Sequence, residues 1–174
     1  VKAVQRFHPA VGGSESQVRL IARELVRRGH KVEVETTGST SALDIPSLLF
    51  LPRGRPKLRE HEVVDGIVVR RYAALFRLYG FILTFPMWRL LSSEADIIHA
   101  YGYYVTTSFW VALVAKARRI PFVLTANDVD PGLFAPAAER VAAKMYSRIP
   151  GRILLALSDR IIAVSDSNLR DILA

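Results

Sequence analysis

Between Val1 and Thr36 the chain runs strand, glycine turn, helix, strand, and no other feature limits its fold so tightly. Val1 to Phe7 reads as a buried strand, and the turn cluster HPAVGGS follows. From Ser14 an amphipathic helix begins, with Val18, Ile21, Ala22, Leu25 and Val26 at the spacing of one helical face. Ser14 with Gln17 three residues on has the pattern of a capping box, and Arg27, Arg28 and Gly29 have that of a helix end. Lys31 to Thr36, KVEVET, alternates as a short strand does. A βαβ unit of this kind calls for a parallel sheet with a right-handed crossover.

The alternation continues along the chain. SLLFLP (47–52) reads as a short strand, and the Asp65-Gly66 pair inside EVVDGIVVRRY predicts a hairpin. Leu75 to Leu91 is aromatic and helical in pattern, with Pro86 placed to kink or break it. Ala95 to Ala100 and Pro121 to Ala126 read as strands flanking a helix from Thr106 to Arg118. Pro136 to Leu157 is mostly helical with an interruption expected at Pro150-Gly151; Asp159 to Ser165 is a strand, and Asp166 opens a last helix. The expectation is one α/β domain, doubly wound, with a mainly parallel sheet and helices on both faces.

Composition narrows the chemistry. No cysteine is present, which removes disulfides and thiolate metal sites, and no secretory signal pattern opens the sequence. A net charge of +8 calls for an anionic partner: nucleic acid, anionic lipid or a phosphorylated small molecule. The basic residues are scattered and no nucleic-acid motif accompanies them, so a basic nucleic-acid-binding module is the lesser alternative. The basic loop carrying Arg53, Arg55, Lys57 and Arg59 has two readings, phosphate contact or solvated surface. So has the apolar run Leu78 to Trp88, which is too short to span a bilayer: core, or an edge dipping into a membrane interface.

In an open parallel sheet, ligands bind beyond the carboxyl ends of the strands. That rim should carry Gly12 and Gly13, then His99 to Gly102, then Asn127 to Gly132, then Ser165 and Asp166. Glycine lets backbone approach a ligand, and the helix that follows offers free N–H groups to a phosphate; the alternative is a plain strand-to-helix turn. Gly12-Gly13 is not a G-x-G-x-x-G, which disfavours a nicotinamide cofactor. Glu15 in the first helical turn suits the dipole with or without a ligand. His99 is a structural strand-end histidine or a site residue. Asn127, Asp128 and Asp130 either bond sugar hydroxyls or form an Asx-type turn. Asp128-Val129-Asp130 has a D-x-D form, but no other ligand cluster in the sequence supports a metal.

With those residues in place, the sequence resembles the N-terminal domain of retaining, GT-B-fold glycosyltransferases of family 4, often called group 1 glycosyltransferases. The segments that carry the resemblance are HPAVGGSESQVRLIARELVRRGHKVEVET, DGIVVRRY, ADIIHAYG, PFVLTANDVD and SDRIIAVSDSNLRDIL, in the family's order. The resemblance implies two Rossmann-like domains facing a cleft, of which residues 1–174 form the N-terminal, acceptor-side one. A C-terminal domain, absent from this chain, would hold the nucleotide-sugar donor. Gly12 and Gly13 would lie against the donor diphosphate or transferred sugar, with Glu15 nearby. His99, Tyr101, Asn127, Asp128 and Ser165 would serve the sugar or acceptor. The family's usual histidine after the PFVLT strand is replaced by Asn127, which bonds a hydroxyl but takes no positive charge. The implied reaction is hexosyl-type transfer to an acceptor hydroxyl with retention, without a metal or other cofactor. The implied setting is cytoplasmic, peripheral to an anionic membrane face, with a lipid-linked or anionic acceptor. A non-catalytic ligand-binding domain of the same fold is the remaining alternative.

Overall fold

The computed structural model describes residues 1–39, 58–78, 81–84, 90, 94–127 and 137–173. Its main sheet has seven strands: β1 (Lys2–Ala3), β2 (Glu33–Thr37), β3 (His61–Val64), β4 (Ile67–Tyr72), β7 (Ile98–Tyr101), β8 (Phe122–Ala126) and β9 (Arg160–Ala163). Their spatial order is β3-β4-β2-β1-β7-β8-β9, all parallel except the edge strand β3. The chain therefore winds outward in one direction from β1 and in the other from β7. Helix α1 (Gly13–Arg27) joins β1 to β2, and α2 (Thr106–Arg118) joins β7 to β8.

The two windings put helices on opposite faces. On the front face, Val18 and Ala22 of α1 pack on Val4, Val34, Ile67 and Val69. On the back face, Val111, Ala112 and Ala115 of α2 pack on Ala3, Ile98, Ala100, Phe122 and Leu124. Successive strand residues face opposite ways, so the KVEVET pattern sends Val34 forward and Glu35 backward. Glu35 is fully buried, and burial pushes its carboxyl up to about 7 against the opposing pull of Tyr72 and Arg70.

The Asp65-Gly66 hairpin forms as expected: both residues have positive φ, 53° and 78°, joining β3 to β4 as a two-residue turn requires. Two local expectations are corrected. Ser14 does not cap α1; Gly12 holds that position in extended conformation with no side-chain cap, and its carbonyl accepts the Ser16 N–H at 3.0 Å. Within the segment Leu75 to Leu91, the described residues 75–78 and 81–84 are not helical. Instead β5 (Ala74–Leu78) and β6 (Phe81–Thr84) pair antiparallel as a separate two-stranded sheet. A run of Leu, Phe, Tyr and Ile broken only by Arg77 and Gly80 fits either period, and a glycine costs a helix interior about 1 kcal/mol.

Beyond β8, helix α3 (Ala137–Tyr146) passes through a π-helical turn, Ser147–Gly151, into α4 (Arg152–Leu157). The interruption expected at Pro150-Gly151 is thus an under-wound turn within a continuous rod. The last helix is α5 (Asp166–Leu173). The strand read at 47–52 and residues 53–57 of the basic loop lie outside the described residues.

Candidate functional site

The windings part between β1 and β7, where Lys2 is in register with His99 and Ala3 with Ala100. Beyond their carboxyl ends the chain turns to opposite faces, which opens a crevice at the rim. The segment from β1 to α1 is held there from several sides. Val4 and Phe7 are buried in the front core. The almost fully buried guanidinium of Arg71 donates to the carbonyl of His8 at 2.6 Å and to that of Arg59 at 3.0 Å, and pairs with Glu62. Asp65, in the hairpin turn, accepts two bonds from Arg19 of α1 at 3.1 and 2.8 Å.

At the helix start, Glu15 is buried and forms an ion pair with Arg6 at 2.9 Å. Its carboxylate folds back toward Gly12, where any Cβ would collide with it. A side chain at Gly12 would therefore require the buried, Arg6-paired Glu15 carboxylate to shift. Gly13 is different: its φ is not positive, and a Cβ there would meet nothing within 4 Å. Neither conformation nor internal packing asks for glycine at position 13. Its outer surface is open, beside the first N–H groups of a 15-residue helix.

Asn127, at the end of β8, reaches this helix start. Its Nδ2 donates to the Ser14 hydroxyl at 2.8 Å. Its carbonyl accepts the Tyr103 N–H at 3.4 Å, and the Gly102 N–H donates to the Thr125 carbonyl at 3.0 Å. Gly102 has φ 101°, a conformation that favours glycine, and a Cβ there would come within 2.8 Å of Val105. The loops after β1, β7 and β8 thus meet at Gly13, Ser14, Tyr103 and Asn127. Asp128 and Asp130 lie outside the described residues. Among the described residues no cluster of three or more histidine or acidic side chains could hold a metal.

The other expected residues lie elsewhere. Ser165 caps α5, its hydroxyl accepting the Asn168 N–H at 3.1 Å. His99 and Tyr101 point from the front of the sheet into a polar cluster below the rim. Lys2 Nζ donates to the Tyr101 hydroxyl at 3.0 Å and lies 3.4 Å from His99 Nδ1, while His99 Nε2 meets the Thr125 hydroxyl at 2.8 Å. Burial, with the Lys2 charge second, pushes His99 down to about 4, so its ring is neutral near pH 7. Burial also lowers Lys2 to about 8 and raises Tyr101 to about 12. Lys2 and His99 line a groove of about 680 Å³ with Ile21, Leu25, Lys31 and Asp96. That groove opens at the amino ends of β1 and β7, away from the glycine loop.

Reading the sequence alone did not single out Arg6, Ser14 as a partner of Asn127, Arg71 or Lys2. Ser14 and Asn127 are 113 positions apart, and no local pattern links them.

An open, mainly parallel sheet wound both ways from a switch point, with a glycine-initiated helix at its rim, defines a doubly wound α/β domain of Rossmann-like type. A family model described as Glycosyltransferase Family 4 matches residues 11–174, and the chain belongs to that family. A search of curated proteins gives no match.

Proposed function

We propose that this chain is the acceptor-side half of a glycosyltransferase that moves a sugar, of the hexosyl type, from a nucleotide-sugar to an acceptor hydroxyl with retention. The observation that carries the reading is the open flank of Gly13 at the N-terminus of α1, joined to Asn127 through Ser14. A glycine that the fold does not need, at a helix start whose N–H groups face the crevice, is suited to backbone contact with a diphosphate or a transferred sugar. In this reading Asn127 bonds a sugar hydroxyl and a second Rossmann-like domain supplies most of the donor site. The leaving diphosphate is stabilised by positive groups and helix dipoles without a metal. The acceptor is anionic or lipid-linked and is met at the cytoplasmic face of a membrane. His99 and Tyr101 contribute from below the rim by fixing the β7 end; Asp128 and Ser165 are read as further sugar or acceptor contacts.

The test is Gly13→Val in a polypeptide that carries both domains. Transfer is expected to fall at least tenfold while the melting temperature moves little, because a Cβ at this position has no protein atom within 4 Å. A loss of transfer no greater than the loss of folded protein would contradict the reading.

A further inference from the structure

We propose that the outer face of the rod formed by α3, the π turn and α4 is a docking surface for an anionic lipid bilayer. Four apolar residues stand in the open along it: Val141 at 59% exposure, Met145 at 66%, Ile149 at 67% and Ile153 at 42%. Each is preceded by an exposed cation: Arg140, Lys144, Arg148 and Arg152. Glu139 is the only acidic residue between Ala137 and Leu157. The opposite face of the rod is already used: Ala143, Gly151 and Leu154 are buried, and Tyr146, Leu155 and Leu157 pack on the back core. The outer residues are therefore not part of the buried core.

Two rows with a four-residue repeat would not stay on one face of an ordinary helix. At 3.6 residues per turn each step drifts by roughly 40°. The π turn at Ser147–Gly151 closes wider rings and under-winds the rod, which offsets that drift between Arg148 and Arg152. The result is an apolar row beside a cationic row over about 20 Å. The under-winding also has a fixed seat, since Gly151 lies against the Tyr103 hydroxyl, where any Cβ would collide.

The two rows together select the partner. A soluble polyanion would meet the cations and leave Val141, Met145 and Ile149 in water. A bilayer surface takes both: the apolar row enters the boundary between headgroups and acyl chains, and the cations meet acidic headgroups. No helix among the described residues is long and apolar enough to cross a membrane, so the contact is interfacial. This surface uses other residues than the segments 53–59 and 78–88, for which the sequence leaves a membrane contact as one of two readings. It also stands apart from the sugar-transfer reading, because lipid binding needs no donor.

The experiment is co-sedimentation of the chain with vesicles of phosphatidylcholine alone and of phosphatidylcholine mixed with phosphatidylglycerol. Binding is expected on the mixed vesicles only, weakening with salt. Each neutralised cation should lower partitioning about fivefold, so Lys144→Gln with Arg148→Gln should lower it roughly 25-fold. Met145→Ser with Ile149→Ser should also release the protein from mixed vesicles, while its retention on heparin stays unchanged. Thermal melts confirm that both pairs fold as the parent does. Absence of binding, equal binding to both vesicles, or mixed-vesicle binding untouched by either pair would overturn the proposal. Sensitivity to the cation pair alone would also overturn it, showing a general polyanion surface.

Discussion

The two ends of the sheet offer a ligand opposite things. The amino end of β1 and β7 has a groove of about 680 Å³, lined by Lys2, His99, Lys31 and Asp96. The carboxyl end has a rim where three chain-distant loops are bonded together through Ser14, Tyr103 and Asn127. The first end has the groove, and the second has the topology of a ligand site. The polar groups of the groove that lie deepest are already paired with one another, Lys2 with Tyr101 and His99 with Thr125. At the rim, by contrast, the N-terminus of α1 has no side-chain cap and Gly13 borders open space. Space alone does not make a site; unfilled bonding capacity in the right place is the better guide.

The comparison can be broken at the glycines of the carboxyl end, where the largest effect is expected. Gly151→Leu must displace Tyr103, whose loop meets Asn127, and overpacking of this kind costs on the order of 1–3 kcal/mol. Gly13→Ala should change stability by only a few tenths of a kcal/mol, since its Cβ has room. Chemical denaturation of both variants measures the difference. Equal destabilisation would remove the distinction between a glycine the fold needs and one it does not.

At the amino end the expected effect is intermediate and depends on pH. Lys2 is buried with its ammonium held down to about 8, so its charge opposes folding at neutral pH. Lys2→Met is expected to be neutral or stabilising by about 1 kcal/mol at pH 7, after loss of the Tyr101 bond is counted. Between about pH 8 and the ordinary lysine value of 10.5, the folded protein loses this proton before the unfolded chain does. The parent therefore gains stability with rising pH in that window, and the advantage of Lys2→Met shrinks there. His99 acts on the acid side: its folded value of about 4 lies below 6.5, so stability falls as pH drops from 6.5 toward 4. A His99→Gln variant lacking that part of the acid loss would confirm the assignment, and an unchanged acid limb would contradict it.

The smallest effect is expected at the hairpin contact with α1. The Arg19–Asp65 pair is exposed, and Asp65→Asn keeps a residue that tolerates the positive φ of 53°. A loss near the resolution of a thermal melt is predicted, as for exposed ion pairs generally. A much larger loss would mean that the hairpin, rather than Arg71 and the front core, holds the segment before Gly12.

The fold was legible because its periods change clearly. The amphipathic spacing from Val18 to Val26, the Asp65-Gly66 pair and the short apolar strands each carry a local signal that tertiary packing reinforced. Residues 75–78 and 81–84 were not legible: their mostly aromatic and aliphatic character fits a helix or a strand equally, and strand pairing decided it. Within the site, the glycine loop and Asn127 could be read from topology. Their coupling through Ser14 could not, nor could the descent of His99 into a cluster with Lys2, because side-chain partners across strands leave no mark in local spacing. The cation row at Arg140, Lys144, Arg148 and Arg152 is visible as a repeat, but only burial shows that it faces outward.

The central claim is that donor and acceptor chemistry belongs to the carboxyl rim, and backbone amide spectra of the nitrogen-15-labelled chain titrated with a nucleoside diphosphate test it most directly. The account predicts shifts concentrated at Gly13, Ser14, Gly102 and Asn127, reduced in Gly13→Val, with Lys31, Asp96 and His99 unmoved. Shifts concentrated at Lys31, Asp96 and His99, and indifferent to Gly13→Val, would place ligand binding at the opposite end of the sheet and contradict it.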